Sequence, residues 1–151
     1  MLTALTSGAT LVDVNTINFD HIGLSVADLD AQRAFYGRAL GLTFVEEELE
    51  LPEAQVRTVI LRAANGLKLE LIERGGSAPQ EFADPFAGAA VQGYFHWALS
   101  VDDLDATFAQ LLAAGACEVS PPAPAARAGM RFAYVKDPEG NLLEIVQPAV
   151  A

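Results

Sequence analysis

The sequence predicts an α+β fold built from two tandem β-α-β-β-β modules. Three observations carry this reading. Residues 20–31, DHIGLSVADLDA, match residues 95–106, FHWALSVDDLDA, at eight of 12 positions when shifted by 75. Residues 66–72, GLKLELI, match residues 140–146, GNLLEIV, when shifted by 74, with Gly66/Gly140, Leu69/Leu143 and Glu70/Glu144 coinciding. Agreement at both ends of a module, with nearly one offset, marks an internal duplication with one net deletion. Third, 151 residues make one domain by length, and a 52% hydrophobic share supplies the apolar surface for a core.

The elements follow in order. The run IGLSV (22–26) alternates as a strand does. Asp28 then stands where a carboxylate can cap the first turn of a helix. Leu29, Phe35, Tyr36 and Leu40 give that helix an apolar stripe, and Gly41 stands at its C-cap. Three strands are expected from LTFVEEEL (42–49), VRTVILRA (56–63) and LKLELIE (67–73). Residues 75–93 form a joining loop longer than usual, in which Phe82 and Phe86 are the groups able either to pack it down or to cover a site. The pattern then repeats. HWALSV is a strand, Asp103 a cap, Leu104, Phe108, Leu111 and Leu112 a stripe, and Gly115 a C-cap. Strands from ACEVS, RFAYVKD and LLEIVQ complete the second module, with a Pro/Ala loop at 120–129 and a DPEGN turn before the last. Residues 1–151 are therefore one domain, with module 1 at about 17–74, the linker at 75–93 and module 2 at about 94–148. The first 16 residues have no assigned role.

Charge and composition exclude several classes. A net charge of -11 repels phosphate backbones and anionic lipid, so neither nucleic acid nor a membrane surface is an expected partner. No apolar run approaches the ~20 residues of a membrane span. The N-terminus lacks the positive region of a signal peptide, and a cytoplasmic setting is the expectation. Cys117 is the one cysteine, so neither an internal disulfide nor a Cys-rich zinc site is available. Arg57, Arg62, Arg127 and Arg131 are either a local anion clamp or ordinary surface arginines.

The chain has two histidines, His21 and His96, and they occupy equivalent repeat positions. Alternation puts His21, Gly23 and Ser25 on one face of their strand, and His96, Ala98 and Ser100 on one face of theirs. In the closing strands Glu70 and Glu144 turn away from the Leu69/Leu71 and Leu143/Ile145 side. If a pseudo-twofold relates the modules, His21, Glu70, His96 and Glu144 can converge. Two neutral imidazoles and two carboxylates suit a divalent transition ion and balance its charge.

These motifs resemble the vicinal oxygen chelate superfamily, also called the glyoxalase/bleomycin-resistance/dioxygenase family. The resemblance covers roughly residues 17–148 and is carried by FDHIGLSVADLDAQRAFYGRALG, LKLELIE, FHWALSVDDLDA and FAYVKDPEGNLLEIV. It implies eight strands in a curved mixed sheet, arranged as half-barrels around a metal. It implies His21, Glu70, His96 and Glu144 as ligands of a divalent ion (Zn, Ni, Co, Mn or Fe(II)). It also implies a lyase or isomerase, glyoxalase I-like or epimerase-like, that moves a proton α to the carbonyl of a small vicinal-oxygen substrate. Glu70 or Glu144 would be the base. The same resemblance allows an Fe(II) extradiol-type dioxygenase using His21, His96 and Glu144, or a drug-binding protein without turnover. A homodimer is expected, since many members are dimers and a few exchange modules between chains. The 26-residue step from Glu70 to His96 is longer than compact bacterial glyoxalase I implies.

Overall fold

A computed structural model describes residues 16–149. The segment read above as no signal peptide lies, up to residue 15, outside the described residues. Module 1 holds strands β1 (Ile22–Val26), β2 (Phe44–Leu51), β3 (Val56–Arg62) and β4 (Lys68–Arg74), with helix α1 (Leu29–Leu40) after β1. Module 2 holds β5 (His96–Ser100), β6 (Cys117–Pro124), β7 (Arg131–Lys136) and β8 (Leu142–Gln147), with α3 (Leu104–Ala114) after β5. A short helix, α2 (Pro85–Ala89), lies in the linker.

The two β-α-β-β-β modules are present, and their sheets have the same order: β1-β4-β3-β2 and β5-β8-β7-β6. Each first strand pairs in parallel with the last, and the other pairs are antiparallel. The eight strands thus divide into two mixed sheets of four.

Local chemistry repeats as well. Asp28 accepts a hydrogen bond from the Ala31 N–H, and Asp103 accepts one from the Ala106 N–H, each at 2.9 Å. A side chain at the end of the last strand reaches the first helical N–H in each module. Glu73 accepts from Leu29 at 2.8 Å, and Gln147 accepts from Leu104 at 3.0 Å. Gly41 and Gly115 close the helices at φ 68° and 114°, a left-handed region that penalises a Cβ.

One core joins the modules. Leu29, Phe35, Tyr36, Leu69 and Leu71 from the first and Leu104, Phe108, Leu111, Leu143 and Ile145 from the second belong to a single buried cluster. Gln32 is buried with the α1 stripe, although its amide is polar. Polar contacts also cross the boundary. The buried Tyr36 hydroxyl donates to Asp137 at 2.8 Å, and the Glu139 carboxylate accepts from the N–H groups of Ala27 and Asp28 at 2.8 and 2.9 Å. Asp137 also accepts from the Glu139 and Asn141 N–H groups, which builds the expected DPEGN turn.

Two expectations need correction. Part of the Pro/Ala loop is strand, because β6 runs on to Pro124. Its ladder skips between Ser120 and Ala123, so Pro121 and Pro122 sit in irregularities of an edge strand, where a missing N–H breaks no ladder bond. The linker is not wholly irregular, since Asp84 caps α2 through the Ala87 N–H. Phe82 packs edge-on against Phe95, with ring centroids 6.3 Å apart, whereas Phe86 is 88% exposed. Among the described residues, no helix is long and apolar enough to cross a membrane.

Candidate metal centre

Each sheet buries one face in the shared core and leaves the other uncovered. Leu69 and Leu71 are fully buried, as are Leu143 and Ile145. Glu70 and Glu144, between them in sequence, turn to the uncovered faces with 22% of each side chain exposed. The register places Gly23 beside Glu70 and Ala98 beside Glu144. These small side chains leave each Glu free to lean back to the histidine at the start of the first strand, His21 just before β1 and His96 as the first residue of β5. His21 Nε2 lies 3.3 Å from Glu70 Oε2, and His96 Nε2 lies 3.1 Å from Glu144 Oε2.

The four expected ligands are therefore brought together as two matched pairs. Among the described residues, no group of three or more His, Cys, Asp or Glu is placed to hold a metal ion. The donor chemistry fits a divalent transition ion, since each pair offers one imidazole nitrogen and one carboxylate on an accessible face. Each pair supplies two of the four side chains expected as ligands. Both histidines line one cleft of ≈ 1000 Å³ between β1, β5 and the linker.

The surroundings of the two pairs differ. His21 Nδ1 lies 2.7 Å from Asp20 Oδ2. That hydrogen bond outweighs the opposing cost of burial and, with the charge of Glu70, raises the His21 pKa above its usual 6.5. Hydrogen bonds from His21 and Lys68 hold the Asp20 carboxyl below its ordinary value. Lys68 also reaches Glu46 at 3.2 Å, and Arg62 pairs with Glu46 at 3.8 Å while lying 4.4 Å over the Phe44 ring. Around His96 the neighbours are aromatic. Phe95 and Tyr134 sit edge-on to the imidazole at 4.5 and 5.6 Å between centroids. Burial, then the charge and hydrogen bonding of Glu144, push the Tyr134 phenol up to about 12.

The arginines weighed as an anion clamp are mostly committed elsewhere. Arg131 grips Asp105 with two bonds of 2.6 and 3.0 Å, and Arg57 stands among Asp30, Glu50 and Glu73. The residues missed by sequence reasoning are Asp20, Phe95 and Tyr134. Asp20 and Phe95 precede the two histidines, so the mismatch within an otherwise repeated motif was the available signal.

Comparison with known proteins agrees with this fold. A protein named "Probable lactoylglutathione lyase" from Vibrio cholerae serotype O1 (strain ATCC 39315 / El Tor Inaba N16961) is 30% identical over 130 residues, 84% of this chain and 88% of that relative. Lactoylglutathione lyase GLX1 of Arabidopsis thaliana is 25% identical over 132 residues, 85% of this chain and 44% of that one. The chain thus spans most of the first but about half or less of several other curated relatives. The crystal structure of the glyoxalase family protein from Enterococcus faecalis shares the fold, with a TM-score of 0.73 at 20% identity over 87% of this chain and 98% of that one. The sequence pattern of the Glyoxalase/Bleomycin resistance protein/Dioxygenase superfamily matches residues 18–145, so the chain belongs to that family.

Proposed function

We propose that this protein is a divalent-metal-dependent lyase of the glyoxalase I type. In this reading it acts on a small carbonyl adduct such as a glutathione hemithioacetal, and its active form is a homodimer. The observation that carries the reading is the matched His–Glu pair on the uncovered face of each sheet. The relatives named lactoylglutathione lyase support the reaction class.

Two pairs that do not meet within one chain make a four-donor set when two copies face each other, His21–Glu70 of one opposite His96–Glu144 of the other. The uncovered face of module 1 supports a covering partner. Cross-strand register puts Phe44, Leu49 and Leu51 on the same face as Glu70, and they are 53%, 46% and 51% exposed. Burying such a patch against a second copy removes apolar area from water.

When bound, a divalent ion supplies Lewis-acid polarisation of the substrate oxygens. The histidines offer Nε2, and the glutamates offer Oε2. Tyr134 lies across from Glu144 in the ladder, close enough that burial and then the Glu144 charge raise its phenol's pKa. At the matching place across from Glu70 is Ile60, which has no donor. Glu70 is thus the carboxylate with fewer restraints. It is assigned to take the proton from the carbon beside the carbonyl onto Oε and return it to the neighbouring carbon.

The test combines metal analysis with turnover. Protein purified without added metal, then loaded with Zn, Ni, Co, Mn or Fe(II), is assayed on the methylglyoxal–glutathione hemithioacetal, and its mass is measured by light scattering. Metal-dependent isomerisation by a dimer is expected. A metal-loaded monomer with full activity would overturn the shared site, and activity unchanged by chelation would overturn the metal reading.

A further inference from the structure

We propose that Asp20 is a positioning residue that fixes the His21 tautomer, leaving the Nε2 lone pair free for the ion. This rests on the metal reading above. A neutral imidazole carries one N–H. At His21 both ring nitrogens face carboxylates, Nδ1 at 2.7 Å from Asp20 and Nε2 at 3.3 Å from Glu70. The shorter contact has the length of a full N–H···O bond, and the longer one lies beyond the usual range. The proton therefore belongs on Nδ1, donating to Asp20. The Nε2 lone pair then faces the Glu70 carboxylate, an arrangement of two electron-pair donors that a cation relieves. Lys68 Nζ lies 3.4 Å from the other Asp20 oxygen and leaves the one that faces His21 to accept the ring N–H.

Nothing equivalent exists at His96. The matching residue is Phe95, and His96 Nδ1 is buried without a hydrogen-bond partner. The repeat thus carries the orienting carboxylate in one half only. Carboxylates that accept the second N–H of a metal-ligating histidine typically support metal affinity by about 10–100-fold.

The test reads the ring itself. Long-range ¹H–¹⁵N correlation spectra of the metal-free protein are recorded where titration shows both imidazoles uncharged. Two histidines give two patterns, assigned with His96→Gln. His21 is expected as the Nδ1–H tautomer. Asp20→Ala is expected to move it toward Nε2–H, and Asp20→Asn, whose amide oxygen still accepts, to retain Nδ1–H. Zinc affinity, from competition with a chromophoric chelator, is expected to fall about 10–100-fold in Asp20→Ala and to recover largely in Asp20→Asn. Lys68→Met removes a neighbouring charge but not the Asp20 contact, so its His21 tautomer is expected to match wild type. An unchanged tautomer in Asp20→Ala would overturn the proposal. So would equal shifts at both rings, or a Lys68→Met protein that behaves as Asp20→Ala. If wild type binds no zinc, the metal reading fails, while the tautomer measurement still decides the role of Asp20.

Discussion

The two half-sites share a backbone and differ in what surrounds it. In module 1 the His–Glu pair lies among charges: Asp20, Lys68, Glu46 and Arg62. In module 2 the same pair lies among rings: Phe95, Tyr134 and, beyond it, Phe132. The parallel pairing of first and last strands fixes where His and Glu meet in both. The residues that orient and restrain them are free to differ. A repeat can therefore preserve a His–Glu pair while giving each copy different surroundings.

The sharpest test of that division is substitution of the two carboxylates. Glu70→Gln is expected to lower kcat by about 10²–10⁴-fold, the range for a lost general base, with an unchanged circular dichroism spectrum. Glu144→Gln is expected to weaken metal loading as its first effect. Equal loss of loading in both, with no separate loss of kcat for Glu70→Gln, would erase the proposed difference.

A second test concerns a contact that only one orientation of the repeat provides. Tyr36 donates to the buried Asp137, whose counterpart in module 1 is Ala63. Tyr36→Phe is expected to cost about 1.5–3 kcal/mol in urea unfolding, as for a hydrogen bond to a charged acceptor. A cost below 0.5 kcal/mol would show that the Asn141 and Glu139 N–H groups satisfy Asp137 by themselves.

The third uses pH. Tyr134 has its phenol raised to about 12, while Ile60 at the matching place has nothing to ionise. A raised folded-state pKa means the native protein keeps that proton after the unfolded chain has released it near 10. Stability is expected to fall as pH rises from about 10 toward 12, and Tyr134→Phe should flatten that limb. Denaturation midpoints across the window decide it.

The smallest effect should also be the most symmetric. Asp28→Ala and Asp103→Ala each remove one cap bond of 2.9 Å, and each is expected to cost about 1 kcal/mol. A large inequality in thermal unfolding would show that Glu139, bound to the N–H groups at the start of α1, takes over part of the first cap.

Much of this was legible in the sequence because it depends on local, periodic chemistry. Alternation showed which way Glu70 and Glu144 turn, and Asp28, Asp103, Gly41 and Gly115 marked both helices. The extension of β6 was not legible, because Pro121 and Pro122 argue against a strand unless its edge position is known. The burial of Gln32 was hidden for a similar reason, since its polarity masks a core position. That the four donors form two pairs was also beyond reach. Periodicity gives the face of a strand, but not how two modules dock. The docking rests on the shared core and on the contacts of Tyr36, Asp137 and Glu139, which are far apart in sequence from their partners.

Those long-range ties have a consequence for chain continuity. Tyr36 and Asp137 are 101 residues apart, and Glu139 reaches back to Ala27 across 112. Residues 77–81, between the modules, are exposed and belong to no helix or strand. A protease nick there would cut the polymer without separating its halves, because the shared core and the buried phenol–carboxylate bond remain. The two fragments should travel together through gel filtration and part only in denaturant. The molecule is thus a natural candidate for reassembly from two separately produced pieces.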